Sequence, residues 1–147
     1  MKSQILKFKE MPFNHQRAIV IYHDEDDSID WTDIKSWSES NTVDWFDVEK
    51  VQIWIDDFIK VYGEMEFRIG EISIEEVIEG VMKWLCREWD TFEEYHEWYK
   101  EGDHTDHGDS VFPIVLSGCE EYIEDGWHRF HSYVDKGLKK IPFVEYL

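Results

Sequence analysis

Cysteine is scarce in this chain: Cys86 and Cys119 are the only two in 147 residues, far apart and outside any CxxC spacing. That excludes a disulfide framework and a zinc knuckle, and makes a reducing, cytoplasmic setting the expectation. Long apolar runs are missing too. Residues 1–10 (MKSQILKFKE) hold no apolar stretch long enough for a signal peptide. No later segment approaches the ~20 apolar residues of a membrane span, so no membrane role is expected. Positive charge is the third shortage, with 15 Lys and Arg against 34 Asp and Glu, a net of −19. Residues 1–23 carry four basic and one acidic residue, residues 24–109 seven basic and 27 acidic, and residues 110–147 four basic and six acidic. Such a surface repels phosphate backbones, so direct nucleic-acid binding is not expected. It attracts basic partners, including the basic faces of nucleic-acid enzymes. Solubility alone is the plainer account of the same charge.

What the chain has in quantity is aromatic side chains. They make up 16% of residues, with Trp 8, Tyr 7 and Phe 9, inside a hydrophobic fraction of 42%. That load argues against disorder despite 33% charged residues. At this length the chain is one domain with room for a real core, residues 1–147.

The apolar pattern places the elements. Residues 4–9 (QILKFK) and 17–22 (RAIVIY) read as two short strands around a turn near Pro12 and Asn14. Two echoes, residues 29–34 (IDWTDI) and 43–48 (VDWFDV), read as helix starts led by Asp rather than as a repeat. The second leads into a helix whose Val48, Val51, Ile55, Phe58, Ile59 and Tyr62 recur at helical spacing, with Gly63 closing it. Residues 67–72 read as a strand. Ser73 and Glu76 have capping-box spacing ahead of Ile74, Val77, Ile78, Val81 and Leu85. Asp90 and Glu93 repeat that spacing before a helix through Phe92, Tyr95 and Trp98, whose aromatic stripe reads as core. Beyond the polar loop 102–109 come a strand at 111–116, a turn at 117–118 and a strand at 120–123. A short helix follows with Phe130, Tyr133 and Val134, closed by Gly137, and then a last strand at 141–146.

The turn 125–129 (DGWHR) between strand and helix carries the chemistry. Gly126 lets the backbone bend and approach a ligand. The helix behind it presents unpaired N–H groups and the positive end of its dipole, an anion site. Arg129 sits in the first turn, where its fork suits phosphate, and His128 can donate from either ring nitrogen. Asp125 can cap the helix or help hold a metal ion beside phosphates.

The run DSVFPIVLSGCEEYIEDGWHRFHSYVDKGLKKIPFVEY resembles the strand, turn, strand, Gly-x-His-Arg, helix, Gly-Leu and Ile-Pro strand of the ParB/sulfiredoxin superfamily. Residues 67–77 (FRIGEISIEEV) are similar to its opening strand and helix start, whereas residues 1–63 have no counterpart. The resemblance implies an α+β fold: a small mixed sheet in a ParB/sulfiredoxin-like region, 64–147, behind an acidic strand and helix elaboration, 1–63. It also implies that Gly126, His128 and Arg129 meet the phosphates of ATP or another nucleotide, taken with Mg2+, with hydrolysis or phosphate transfer as the attendant chemistry. No catalytic residue is carried over. In sulfiredoxins the nucleophilic cysteine stands between the Gly and the His; here that position is Trp127, so sulfinic-acid repair is not expected.

Two other features compete. The loop 102–109 (GDHTDHGD) gathers Asp103, His104, Asp106, His107 and Asp109, types that suit zinc, manganese or nickel. Its spacing matches no strong motif, and a solvated acidic loop is the plainer expectation. Carboxylates interleaved with Trp31, Trp37, Trp45, Trp54, Trp89 and Trp98 support the alternative function: a non-enzymatic, DNA-mimicking inhibitor or adaptor, of the kind phages encode, that binds a basic nucleic-acid enzyme.

Overall fold

The computed structural model describes residues 2–26, 48–85, 88–101, 112–117 and 122–147. These form an α+β fold. Five strands, β1 (Lys2–Lys7), β2 (Glu66–Ser73), β3 (Ile114–Leu116), β4 (Ile123–Asp125) and β5 (Lys140–Tyr146), make one mixed sheet in the order β1-β2-β5-β3-β4. β1 pairs antiparallel with β2, and β2 with β5; β5 runs parallel to β3, which pairs antiparallel with β4. The helices are α1 (Phe13–Asp26), α2 (Val48–Tyr62), α3 (Ile74–Trp84), α4 (Phe92–Lys100) and α5 (Trp127–Asp135).

Strand alternation sends side chains to both faces, and both faces are covered. Phe67, Ile69, Val115 and Val144 pack with Ile19, Trp54, Ile55 and Phe58 of α1 and α2. Ile72, Ile114, Phe143 and Ile141 pack with Val77, Tyr95, Phe130 and Tyr133 of α3, α4 and α5. The sheet is therefore the middle of three layers. Phe8, Phe58 and Phe67 meet in one aromatic knot, with centroids at 4.6 and 6.2 Å from Phe8. Each of these fully buried rings is worth about 1.5–3 kcal/mol.

The clearest correction concerns residues 17–22. The run RAIVIY lies inside helix α1, not in a strand. A short β-branched run fits a buried helix as well as a strand. Here Ala18, Ile19 and Val20 are all fully buried between α2 and the sheet, so the apolar character wraps around the helix and its periodicity is lost.

Helix starts follow local chemistry. Ser73 Oγ accepts the Glu76 N–H at 3.1 Å. For α4 the cap lies one residue later than the sequence pattern placed it: Thr91 Oγ1 accepts the Glu94 N–H at 3.2 Å. The short strand read at 120–123 is displaced toward the turn: β4 is Ile123–Asp125, and Tyr122 lies outside it. Gly137, at φ 70°, closes α5 as expected. The echo at 29–34, the loop 102–109, Cys86, Cys119, Trp31, Trp37 and Trp45 lie outside the described residues.

Candidate functional site

The strand-to-helix turn sits where β4 ends, at Asp125. Gly126 is the cap residue of α5, with φ 98° and ψ 23°, a left-handed conformation that glycine adopts without strain. Its carbonyl accepts the Phe130 N–H at 2.8 Å. No side chain caps this helix start, and its first turn holds no acidic residue. The alternative of Asp125 as the cap is thereby corrected: its carboxylate turns toward Arg129, with Oδ2 3.8 Å from Nη2. A Cβ at Gly126 would lie 2.8 Å from Arg129 Nη2 and 3.1 Å from Ile114 Cγ2. The missing side chain thus makes room for the guanidinium as well as for the turn.

Arg129 is folded inward. Its side chain is 12% exposed, that of Asp125 20%. The guanidinium carbon lies 4.7 Å from the centre of the Phe112 ring. Arg17, buried on α1, places its own guanidinium 4.4 Å from the same ring. Phe112 is fixed in turn by Tyr133, whose hydroxyl accepts the Phe112 N–H at 2.9 Å and donates to its carbonyl at 2.5 Å. Two cations from opposite ends of the chain therefore converge on one aromatic ring beside the turn. His128 points outward and is exposed.

A second constellation fills the seam between α4 and α5. Phe92, Tyr95, His96 and Tyr99 on α4 face His128, His131 and Asp135 on α5. His96 and His131 are both buried, and their rings stack at 4.9 Å and 9°. His96 Nδ1 lies 2.7 Å from His131 Nδ1, and His96 Nε2 lies 2.7 Å from Asp135 Oδ1. The gap between the two Nδ1 atoms holds one proton. Every contact is satisfied if Tyr95 donates to His131 Nε2 (3.4 Å), His131 Nδ1–H to His96, and His96 Nε2–H to the carboxylate. Burial pushes the Tyr95 phenol up to about 12; burial, then the neighbouring Tyr95, pushes Tyr99 higher still, so both remain donors near neutrality. Burial works to raise the Asp135 carboxyl, but the hydrogen bond from His96, with Lys100, outweighs it and holds the carboxyl below its usual range.

The seam reaches the turn through Tyr99. Its ring stacks on His131 at 3.7 Å and 14°, and its hydroxyl lies 2.5 Å from His128 Nδ1. Donation from the phenol leaves the His128 proton on Nε2.

Of the expected site residues, Asp125, Gly126 and Arg129 come together, and His128 stands at the rim of the same turn. Sequence reasoning missed Arg17, Phe112, His96, Tyr99, His131 and Asp135. The signal available for part of this set was helical spacing: 92, 95, 96 and 99 on one helix, 128, 131 and 135 on the next. Among the described residues no group of three or more His, Cys, Asp or Glu is disposed to hold a metal ion. Asp125 alone fits the mode in which Mg2+ keeps its waters and takes one carboxylate beside substrate phosphates. No protein-family model, curated protein or solved structure matches this chain.

Proposed function

We propose that the protein binds the phosphate groups of ATP or another nucleotide, with Mg2+, at the Gly126 turn, as the resemblance to the ParB/sulfiredoxin superfamily implies. The observation that carries this reading is the start of α5. A left-handed glycine opens the helix, no side chain caps it, and a guanidinium lies directly against the glycine. Helix dipole, first-turn amides and Arg129 then act on one anion from one side. His128 adds a donor at the rim. Asp125, whose Oδ2 lies 3.8 Å from Arg129 Nη2, is the carboxylate available to Mg2+ when phosphate engages the guanidinium. Hydrolysis or phosphate transfer has no assigned catalytic residue, so binding is the function put forward.

Calorimetry with ATP, ADP and pyrophosphate, each with and without Mg2+, tests it. Arg129→Ala removes a charge-assisted contact and should weaken binding by about 1.5–3 kcal/mol. His128→Ala, at an exposed position, should weaken it by less without disturbing the fold. Absence of binding by the parent protein sinks the reading. The alternative, an acidic inhibitor or adaptor of a basic protein, is favoured by a different observation: an indole left in solvent on α4.

A further inference from the structure

Helix α4 buries Phe92, Tyr95 and His96 and turns its other side to water. On that outer side stands Trp98, 56% exposed. The sequence pattern placed Trp98 in the core stripe; the structure places it outside. Its ring does not stand alone. Trp89 lies 5.4 Å away at 42°, and Tyr95 stacks at 6.3 Å and 29°, so two neighbouring rings brace the indole. Helical spacing sets Glu94 one turn before Trp98 and Glu101 at the helix end, three residues after it, both exposed. The segment 88–101 holds six acidic residues, all exposed: Glu88, Asp90, Glu93, Glu94, Glu97 and Glu101. Its one basic residue, Lys100, is engaged by Glu97 at 3.2 Å and Asp135 at 3.4 Å.

From this geometry we infer that the Trp98 face of α4 docks an arginine-rich segment of a partner protein. An exposed, braced indole between carboxylates offers two things to a guanidinium at once. Its π face takes the cation in a stack, and a carboxylate one turn away takes the N–H fork. Arginine fits better than lysine, whose compact ammonium holds its water more tightly and has no plane to stack. A second copy of this chain is the wrong occupant. It carries the same −19 charge, and a two-fold contact through this face would set carboxylates against carboxylates. A nucleic acid is the wrong occupant for the same reason of sign. The inference is independent of the Gly126 turn, since it uses the solvent side of α4 and the turn lies at the start of α5.

The test uses the full chain and four probes: an oligoarginine peptide, an oligolysine peptide of equal charge, a neutral peptide of equal length, and a DNA duplex. Tryptophan fluorescence and calorimetry report binding at low and high salt. Oligoarginine should bind several-fold more tightly than oligolysine, and both more weakly as salt rises. Trp98→Ala should cost about tenfold for oligoarginine and abolish the preference over lysine. Glu94→Lys and Glu71→Lys change the net charge equally, but Glu71 is exposed on β2, away from this face. Glu94→Lys should therefore weaken binding several-fold more than Glu71→Lys. Three results would each overturn the proposal: unchanged affinity in Trp98→Ala, equal effects of the two charge reversals, or duplex binding as tight as peptide binding.

Discussion

Replacing His131 by Phe isolates the proton shared between the two buried imidazoles. A phenyl ring keeps the plane that stacks on Tyr99 and faces Phe92, so most ring contact survives. The 2.7 Å bond to His96 Nδ1 does not survive, and it leaves a buried nitrogen without a partner, at a cost of about 1–3 kcal/mol. The 3.4 Å contact to Tyr95 is long and adds little. About 2 kcal/mol is expected, or a fall in Tm of about 4–8 °C for a chain of this size. His96→Phe should cost a similar amount. It orphans His131 Nδ1, while Asp135, 47% exposed, keeps Lys100 at 3.4 Å. The double variant removes both partners and leaves no orphan nitrogen in the pair. Its cost should be close to that of either single change, giving a coupling of about 2 kcal/mol in a double-mutant cycle. Urea unfolding of the four proteins at neutral pH measures it. Additivity within about 0.5 kcal/mol would refute the shared proton. A pH arm adds a sign. Asp135 has its carboxyl held low in the folded state, so its contribution is fully present above the unfolded value of about 3.9 and is lost as pH falls through the folded one. The stability gap between the parent and Asp135→Asn should therefore narrow only below about pH 4.

Two further changes probe other parts of the chain. Gly126→Ala forces a side chain into a left-handed residue, at about 1–2 kcal/mol, and sets its Cβ 2.8 Å from Arg129 Nη2. A total of about 2–3 kcal/mol is expected in urea unfolding, and a cost below about 0.5 kcal/mol would show that the turn relaxes freely. Burial lowers the His15 imidazole below its ordinary value, so the unfolded chain takes up this proton first on acidification. Stability should fall as pH drops below about 6.5 and level off once the folded state is also protonated, and His15→Gln should flatten that slope.

Much of the fold was legible because amphipathic periodicity was intact where elements have one dry side. Helix α2 shows this best: Val51, Ile55 and Phe58 are buried and Gln52, Ile53 and Asp56 are exposed. Helix α3 is a similar case, with Val77 and Val81 buried and Glu75, Glu76 and Glu79 exposed. Legibility failed at residues 17–22, where burial on every side erased the period that separates helix from strand. It failed by one residue at Thr91, because Asp90 and Thr91 are both competent caps and only the backbone geometry chooses between them. Trp98 was misplaced for another reason. Spacing alone set it with Phe92 and Tyr95, yet on a nine-residue helix six positions separate Trp98 from Phe92, which turns it about a third of a turn away from Phe92.

The turn shows the deeper limit. The sequence order Asp-Gly-x-His-Arg is enough to place a strand end, a left-handed glycine and a helix start, because each is a local property of backbone and cap. Where Arg129 points is not local. Its direction is set by Phe112, which lies seventeen residues away, is pinned by Tyr133, and also receives Arg17 from the first helix. The same holds for His131, whose partner, His96, lies 35 residues upstream on a helix that the local pattern fixes only in outline. A polar residue on an otherwise apolar stripe reads as an interruption until the facing helix supplies its partner. The chemistry of both constellations therefore arises from packing between elements, and it is there that the proposed phosphate site and the shared proton are to be tested.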